Sequence, residues 1–387
     1  MKLCTLIHII YWFCYLDSSQ NTTPKLRDQS VKMINYFSKR FGLFCALFVD
    51  FFGSKSNGNS YLWEIEGNPP SYLFGTFHVP YPLLWDAIPE NTMQAFNNTQ
   101  SLYLEIDVNE ENKSAMKSCQ QLPNNQTVSD ILPHDMYIRL LSAMEYIHAK
   151  FDEWLTISQK NQGWTADRIF KFYFDGWETR QPIWTWIDLG RITKTIIRSI
   201  EYPDLDTYLE DLGRRYGKFV GGIETVNDRC ALFSNIKESY VIHLLDRSLG
   251  LIENKMLDDE DDYIQQYRDG TLLGSLFIPG NGISMKSPRI KRSGGSNSIK
   301  TGPIYDYMMA MEVNHYLDQE INIKRNLVMS QRIMDLIKSD TNTSFFFAFG
   351  AGHFIGDNSV VDMLQQKGVN VTRVPWDKEI PVSKAQV

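Results

Sequence analysis

Residues 72–78 read YLFGTFH, and residues 347–353 read FAFGAGH. Each segment is an apolar run, rich in aromatic side chains, that ends in Gly-x-x-His. The runs predict two buried strands, and Gly75 and Gly350 allow the backbone to turn tightly after each strand. His78 and His353 therefore follow strand ends, which is where ligands bind in open α/β sheets.

Two carboxylates occupy comparable places in the sequence. Glu105 closes the predicted strand 101–106, and Glu224 follows the predicted strand 218–223. Two imidazoles and two carboxylates make a ligand set that suits Mn, Co or Zn. A metal with an open position can activate water and polarise a carbonyl, and a neighbouring carboxylate can act as the general base. Taken singly, each residue has a structural alternative: a hydrogen-bonded histidine or a salt-bridged glutamate.

The order of elements predicts one α/β domain. We expect strands at 61–65 and 72–77, joined by a turn with two prolines, and further strands at 101–106, 218–223, 344–349 and 369–374. Helices are expected at 83–96, over most of 129–217 with a cap at Ser129 or Asp130, at 305–337, and after a cap at Asn358. The β–α–β order of 72–106 predicts a parallel pair. The fold class is therefore α/β, with a central, mostly parallel sheet and a large helical insertion.

Composition excludes several protein classes. The 387 residues carry 39 Lys and Arg against 46 Asp and Glu, a formal charge of −7, and 13% are aromatic. This balance argues against a disordered chain and against a general nucleic-acid binder, so no nucleic-acid partner is expected. No stretch reaches the roughly 18 uninterrupted apolar residues of a membrane span. The H-E-x-x-H, G-x-S-x-G and P-loop motifs are all absent from the sequence.

The N-terminal region resembles a secretory leader. An apolar run occupies residues 3–16, and a second follows Lys39 and Arg40 when the chain is read from Met33. Either run predicts a signal segment within residues 1–53, and a buried helix is the alternative. We expect a linker at 54–60, a domain at 61–376, a flexible loop at 279–302 and a polar tail at 377–387.

Cysteines and glycosylation motifs agree with secretion. Cleavage after the second apolar run leaves Cys119 and Cys230, which can form one disulfide or stay unpaired. Glycosylation motifs of the form N-x-S/T, which are typical of secreted proteins, begin at Asn21, Asn97, Asn112, Asn125, Asn342 and Asn370.

Four segments together resemble the TraB/PrgY/GumN family. They are the GTFH block with its following helix and strand, GGIETVNDRC, IKRNLVMSQRI, and FAFGAGHFIGDNSVVDMLQQKGVNVTRV. The stretch KSCQQLPNNQTVSDILPHDMYIRL resembles the animal branch of that family, the TIKI metalloproteases. The resemblance covers about residues 61–376, and the combination of segments is more specific than any one of them.

The resemblance implies an activity, a cofactor and a location. TIKI proteins are membrane-tethered proteases that use a divalent metal, Mn or Co, to trim the N-terminus of Wnt ligands and so lower Wnt signalling. It implies His78 and His353 as metal ligands, completed by Glu105 or Glu224, on a sheet of the erythromycin-esterase/ChaN type. The C-terminal membrane helix usual in the branch is not visible in this chain. The protein is therefore expected at the outer face of the cell membrane or as a secreted protein.

The sequence also suggests roles for neighbouring residues and allows two other functions. The glutamate that does not bind metal would activate water. Arg325 would stabilise an oxyanion or the carboxylate of the substrate, or it would form a structural salt bridge. Asp107 and Asn326 are expected to orient the metal ligands. One rival function is an esterase on the same fold. The other is a non-catalytic binder of Wnt or another lipidated ligand through the aromatic region 164–186, for which helical core packing is the alternative.

Overall fold

The computed structural model describes residues 60–107, 109–255, 262–272 and 303–381. The predicted leader at 1–53, nearly all of the linker at 54–60, the loop at 279–302 and the end of the tail lie outside these residues.

The described residues form a mixed six-stranded sheet. Its strands are β1 (Leu62–Ile65), β2 (Ser71–Thr76), β3 (Ser101–Leu104), β4 (Phe219–Gly222), β5 (Phe345–Gly350) and β6 (Val371–Arg373), in the order β4-β3-β5-β2-β1-β6. The predicted strands are thus confirmed, with ends that differ by at most two residues. β2 and β5 are buried along their whole length, as expected for strands covered on both faces.

The pairing corrects one expectation about topology. β2 and β3 run in the same direction, as the β–α–β order predicted, but they are not neighbours. β5 lies between them and pairs in parallel with both, and β4 pairs in parallel with β3. β1 pairs antiparallel with β2 and with β6. β5, which comes late in the chain, therefore lies at the centre of the sheet.

The helices surround the sheet and build the insertion. They are α1 (Glu90–Asn98), α2 (Glu110–Cys119), α3 (Val128–Ile131), α4 (His134–Trp154), α5 (Ile157–Asn161), α6 (Ala166–Phe174), α7 (Pro182–Leu189), α8 (Lys194–Ile197), α9 (Leu205–Arg215), α10 (Val226–Ser234), α11 (Glu238–Glu253), α12 (Asp262–Arg268), α13 (Pro303–Leu317), α14 (Lys324–Ser339) and α15 (Val360–Gln366). Within the described ranges, no helix combines the length and the apolar character needed to cross a bilayer.

Two predicted caps are wrong. Ser129 and Asp130 do not begin the long helix, because Pro133 cannot continue a helix from the residues before it, and α4 begins after that proline. Thr127 precedes α3 instead. Asn358 adopts a left-handed backbone with φ of 58°, and Ser359 caps α15 by accepting a hydrogen bond from the Asp362 amide.

The predicted helix at 305–337 is divided into three parts. A π-helical segment, Asp318–Ile323, joins α13 to α14. It lies directly before Arg325 and Asn326, which begin the part of α14 that faces the sheet. Such segments are often found at functional sites because they shift the register of the side chains that follow.

Two apolar cores hold these layers together. One is built on the sheet and includes Phe346, Phe347 and Phe349. The other lies within the helical insertion and includes Trp184 and Trp186. The aromatic region 164–186 therefore packs largely inside the helical core, which is the alternative to an open lipid groove.

Candidate metal centre

The carboxyl ends of four parallel strands place the predicted residues at one edge of the sheet. His78 follows β2, Glu105 follows β3, Glu224 follows β4, and His353 ends a short 3-10 turn after β5. Because β4, β3, β5 and β2 are neighbours in that order, their ends bring the four side chains together.

Three of these side chains converge on one point. The Nε2 atom of His78 lies 3.4 Å from Oε1 of Glu105, and the Nε2 atom of His353 lies 3.6 Å from the same oxygen. His353 and Glu105 are buried, whereas the side chain of His78 is 45% exposed. Solvent therefore reaches the centre from the His78 side.

Both histidine rings are held by their other nitrogen. The Nδ1 atom of His78 lies 2.8 Å from Oδ2 of Asp206, and Oδ1 of Asp206 accepts a 2.7 Å hydrogen bond from the Thr76 hydroxyl. The Nδ1 atom of His353 lies 2.6 Å from the amide oxygen of Asn326. Each acceptor holds the N–H on Nδ1 and leaves the lone pair of the neutral ring on Nε2.

Gly350 keeps the space beside these atoms open. A Cβ atom on Gly350 would lie 3.0 Å from Oε1 of Glu105, 3.3 Å from Nε2 of His78 and 3.9 Å from the His353 ring. The Gly350 amide also donates a 2.9 Å hydrogen bond to Oε1 of Glu105. The close approach of Glu105 and His78 therefore favours a glycine at this position.

Two arginines neutralise the two glutamates. Arg325 makes a two-point contact with Glu224, at 2.7 and 2.8 Å, and lies 2.7 Å from Oε2 of Glu105. Arg229 contacts the same two carboxylates, at 2.6 Å from Glu105 and 3.0 Å from Glu224. For Arg325, the structure shows the salt bridge that was the alternative to an oxyanion role.

These contacts show how Glu224 is held. Both of its oxygens accept from guanidinium groups, and of the two glutamates it is Glu105 that contacts the histidines. Glu224 therefore holds Arg325 and Arg229 in place, and its roles as a metal ligand or as the base that activates water stay predictions.

The charges of the site set its protonation. Burial disfavours the ionised form of Glu105, but Arg325, His78 and Arg229 outweigh burial and hold its pKa well below the usual range. Burial together with Arg325 lowers the pKa of His353 to about 4. Desolvation would also lower the pKa of His78, but the carboxylates of Asp206 and Glu105 raise it well above its usual value.

The residues present fit a divalent metal of moderate softness. Two ligands of one tetrahedral ion lie about 3.4 Å apart when each bond is about 2.1 Å long. The separations of 3.4 and 3.6 Å match that spacing and exceed an ordinary hydrogen bond. Over the described residues, no group of three or more His, Cys, Asp or Glu side chains is already placed to hold a metal ion. The fit therefore rests on the chemistry of the donor set, two imidazole nitrogens and one carboxylate oxygen beside a residue that lacks a side chain.

Asp107 does not orient a histidine. Its carboxylate lies 2.9 Å from Arg214, and its backbone oxygen accepts a hydrogen bond from the side chain of Asn112. The role that sequence reasoning gave to Asp107 is filled by Asp206, which lies on the first turn of α9. Asn326, in contrast, lies where the prediction placed it, against a histidine of the site.

Cys119 and Cys230 form a disulfide with a Cα–Cα distance of 5.9 Å. The bond joins the end of α2 to α10. Cys230 directly follows Arg229, so the disulfide anchors the helix from which Arg229 reaches the two glutamates. The sequence alone had left this pairing open.

The predicted glycosylation sites differ in accessibility. Asn97, Asn125, Asn342 and Asn370 are exposed, and Asn112 is partly buried with its side-chain amide bound to the backbone of Asp107. Asn21 lies outside the described residues. Exposure is compatible with an attached glycan at the first four positions.

Comparison with known protein families identifies the family of this chain. A model of the TraB/PrgY/gumN family matches residues 61–373, which include every side chain of the centre. The chain belongs to the TraB/PrgY/gumN family.

Relatives of this TraB/PrgY/gumN protein have names that describe an enzyme. The protein is 35% identical over 339 residues to Metalloprotease TIKI2 of Xenopus tropicalis, which covers 86% of this chain and 63% of the relative. It is 34% identical over 340 residues to Metalloprotease TIKI1 of Homo sapiens, covering 86% and 65%. It is 31% identical over 342 residues to a Metalloprotease TIKI homolog of Nematostella vectensis, covering 86% and 70%. The chain thus spans less than two thirds of the length of the two vertebrate relatives. No solved structure matches it.

Two site residues escaped the sequence reasoning. Arg229 belongs to the segment GGIETVNDRC, but no motif marks it as a functional residue. Asp206 lies in a helical stretch 128 residues after His78. The available signal for Arg229 was a positive charge five positions after Glu224, on the helix that begins just after that glutamate. Nothing local in the sequence pointed to Asp206.

Proposed function

We propose that this protein is a divalent-metal-dependent protease that trims the N-terminal residues of Wnt ligands and thereby lowers Wnt signalling. The observation that carries the proposal is the approach of two histidine Nε2 atoms, on His78 and His353, to one oxygen of Glu105. The names of the TIKI relatives support the protease class, and the resemblance to the TIKI branch supports the Wnt substrate.

His78, His353 and Glu105 would hold the metal. A metal in such a site activates water and polarises the carbonyl of the scissile bond. Histidine nitrogens with one carboxylate favour Mn, Co or Zn, and the family resemblance favours Mn or Co. The acceptors at the two Nδ1 atoms orient both imidazoles so that their Nε2 atoms are aimed at the same point, where a metal would replace any proton on Nε2.

The arginines have separate tasks in this proposal. The side chain of Arg325 is 11% exposed, and its contacts with both glutamates keep them ionised. The side chain of Arg229 is 20% exposed and lies at the same edge of the sheet. Arg229 is thus the arginine that a substrate can reach, and its charge would stabilise a carbonyl oxygen that becomes negative during attack.

The disulfide and the exposed sequons support a place in the secretory pathway. A disulfide persists in an oxidising compartment, and glycosylation at Asn97, Asn125, Asn342 and Asn370 requires passage through that route. We therefore propose that the protein acts outside the cell, as a secreted enzyme or as one held at the outer face of the membrane.

The test is a cleavage assay with metal added back. The chain is expressed through a secretory route, stripped of metal, and incubated with purified Wnt in the presence of Mn, Co or Zn. Mass spectrometry then reads the Wnt N-terminus. We expect shortening that depends on metal and is lost in His78→Ala and His353→Ala.

His148→Ala is the matched control. The side chain of His148 is 41% exposed, close to the 45% of His78, and it pairs with Asp167 at 2.7 Å. This variant should cleave like the wild type. Cleavage that survives in both His78→Ala and His353→Ala would refute the metal site. A Wnt that is bound but not shortened would point to a binding protein, and hydrolysis of esters alone would point to an esterase.

A further inference from the structure

We propose that Asp206 is the positioning residue for His78, so that the helical insertion supplies an essential part of the metal centre. The inference rests on the proposed function only in taking His78 as a metal ligand. Asp206 is the second residue of α9, and its carboxylate bridges the Nδ1 atom of His78 and the hydroxyl of Thr76.

The backbone fixes Asp206 against the strand that carries His78. The amide of Leu205 donates a 3.1 Å hydrogen bond to the oxygen of Val79, the residue after His78. The amide of Tyr81 donates a 3.0 Å bond to the oxygen of Pro203, and Pro80 forms an isolated β-bridge with Asp204. The start of α9 is therefore tied to the segment that follows His78.

His78 needs this support more than His353 does. The side chain of His353 is 7% exposed, whereas that of His78 is 45% exposed and has room to rotate about its own bonds. A neutral imidazole carries one N–H, and the acceptor at Nδ1 decides which nitrogen keeps the lone pair. Without Asp206, the other tautomer and other ring orientations become available, and Nε2 no longer faces Glu105 consistently.

The two Gly-x-x-His segments differ at the residue that follows the glycine. Thr76 follows Gly75, whereas Ala351 follows Gly350. Thr76 is fully buried, and its hydroxyl holds Asp206. His353 has no such helper at the equivalent position, because its acceptor, Asn326, comes from α14. The threonine in the first segment is thus explained by Asp206.

Co²⁺ binding to the metal-free full chain tests the inference without any substrate. Titration gives the dissociation constant, and the visible absorption band of bound Co²⁺ reports the coordination geometry. We expect Asp206→Ala to weaken Co²⁺ binding about 10- to 100-fold and to change the absorption band. Asp206→Asn keeps an acceptor oxygen and should lie between Asp206→Ala and the wild type.

Asp167→Ala is the matched control, because Asp167 also accepts from a half-exposed histidine, His148, at a distance of 2.7 Å. It should leave Co²⁺ affinity and the band unchanged. If Asp206→Ala does not fold, Asp206→Asn and Thr76→Val provide the same two readings, with Thr76→Val expected to weaken binding a few-fold. The inference would be overturned if Asp206→Ala, or both replacement variants, bound Co²⁺ within twofold of the wild-type affinity and showed an unchanged absorption band.

The outcome separates this inference from the proposed function. A protein that binds Co²⁺ through an Asp206-dependent site but cleaves no Wnt retains the inference and loses the protease proposal. A protein that cleaves Wnt with metal while Asp206→Ala leaves Co²⁺ binding unchanged retains the protease proposal and loses the inference.

Discussion

Gly350→Ala should disable the metal centre while leaving the fold almost intact. Gly350 has φ of −51° and ψ of 130°, a conformation that alanine adopts freely. The new Cβ would approach Oε1 of Glu105 to 3.0 Å and Nε2 of His78 to 3.3 Å. Both neighbours are ends of side chains, so they can retreat by a few tenths of an ångström. A shift of that size already exceeds the roughly 0.2 Å tolerance of metal–ligand bonds.

The expected loss is about 10- to 100-fold in metal affinity, by comparison with the loss of an orienting partner. This corresponds to about 1.4–2.8 kcal/mol of binding free energy. The cost in folding stability should be about 1 kcal/mol or less, which is the low end for an added methyl group. Calorimetric titration with Mn²⁺ measures the first quantity, and thermal unfolding of the metal-free protein measures the second.

Gly75→Ala is the informative comparison, because the sequence presents the two motif glycines as equivalent. A Cβ on Gly75 would lie 3.0 Å from the Cα and the Cβ of Ala351 and 3.1 Å from the Cβ of Tyr61. These atoms belong to the backbone or are fixed to it, so the substitution should destabilise the fold by about 1–3 kcal/mol. If Gly350→Ala binds Mn²⁺ within twofold of the wild type, or if it unfolds as readily as Gly75→Ala, our reasoning about the open space is wrong.

Three further predictions concern stability. Replacing Cys119 and Cys230 together by serine should destabilise the protein by about 2–5 kcal/mol, because the bond closes a loop with a sequence separation of 111 residues, and urea unfolding checks this. Glu224→Gln should destabilise the protein by about 3–5 kcal/mol, since Arg325 loses its two-point partner in a buried setting, and a stability equal to the wild type in urea would contradict this. A hydrogen bond from Arg332 lowers the pKa of the Asp228 carboxyl to about 2. The ionised carboxylate should therefore add stability above pH 3.8, and this contribution should disappear as the pH falls through 2. The difference in urea midpoint between the wild type and Asp228→Asn should accordingly shrink on acidification, and a constant difference from pH 7 to pH 2 would refute the linkage.

The sequence predicted what depends on local pattern. The apolar runs before Gly75 and Gly350 led correctly to two buried strands, and their parallel direction placed His78 and His353 at the same edge. Glu105 could be added because it ends another such run. Each of these inferences needs only periodicity, a turn residue and the rule that strand ends share an edge.

What could not be predicted depends on contacts between distant segments. Asp206 reaches His78 from a helix, and no spacing relates the two residues. The engagement of Glu224 by Arg325 requires α14 to pack against the sheet, and no local pattern predicts that packing. The insertion of β5 between β2 and β3 likewise follows from packing, because a β–α–β order fixes direction and handedness but not adjacency.

The central position of β5 has a consequence for how the protein is made. β2 and β3 are each hydrogen-bonded to β5. The first residue of β5, Phe345, is synthesised about 240 residues after Leu104, the last residue of β3. During most of synthesis the two early strands lack their common partner, and His353 has not yet been added. Because such long-range pairing forms late and slowly, the emerging chain carries only part of the proposed metal centre and no completed sheet. The sheet and the proposed centre should therefore be completed together, when the final part of the domain is added.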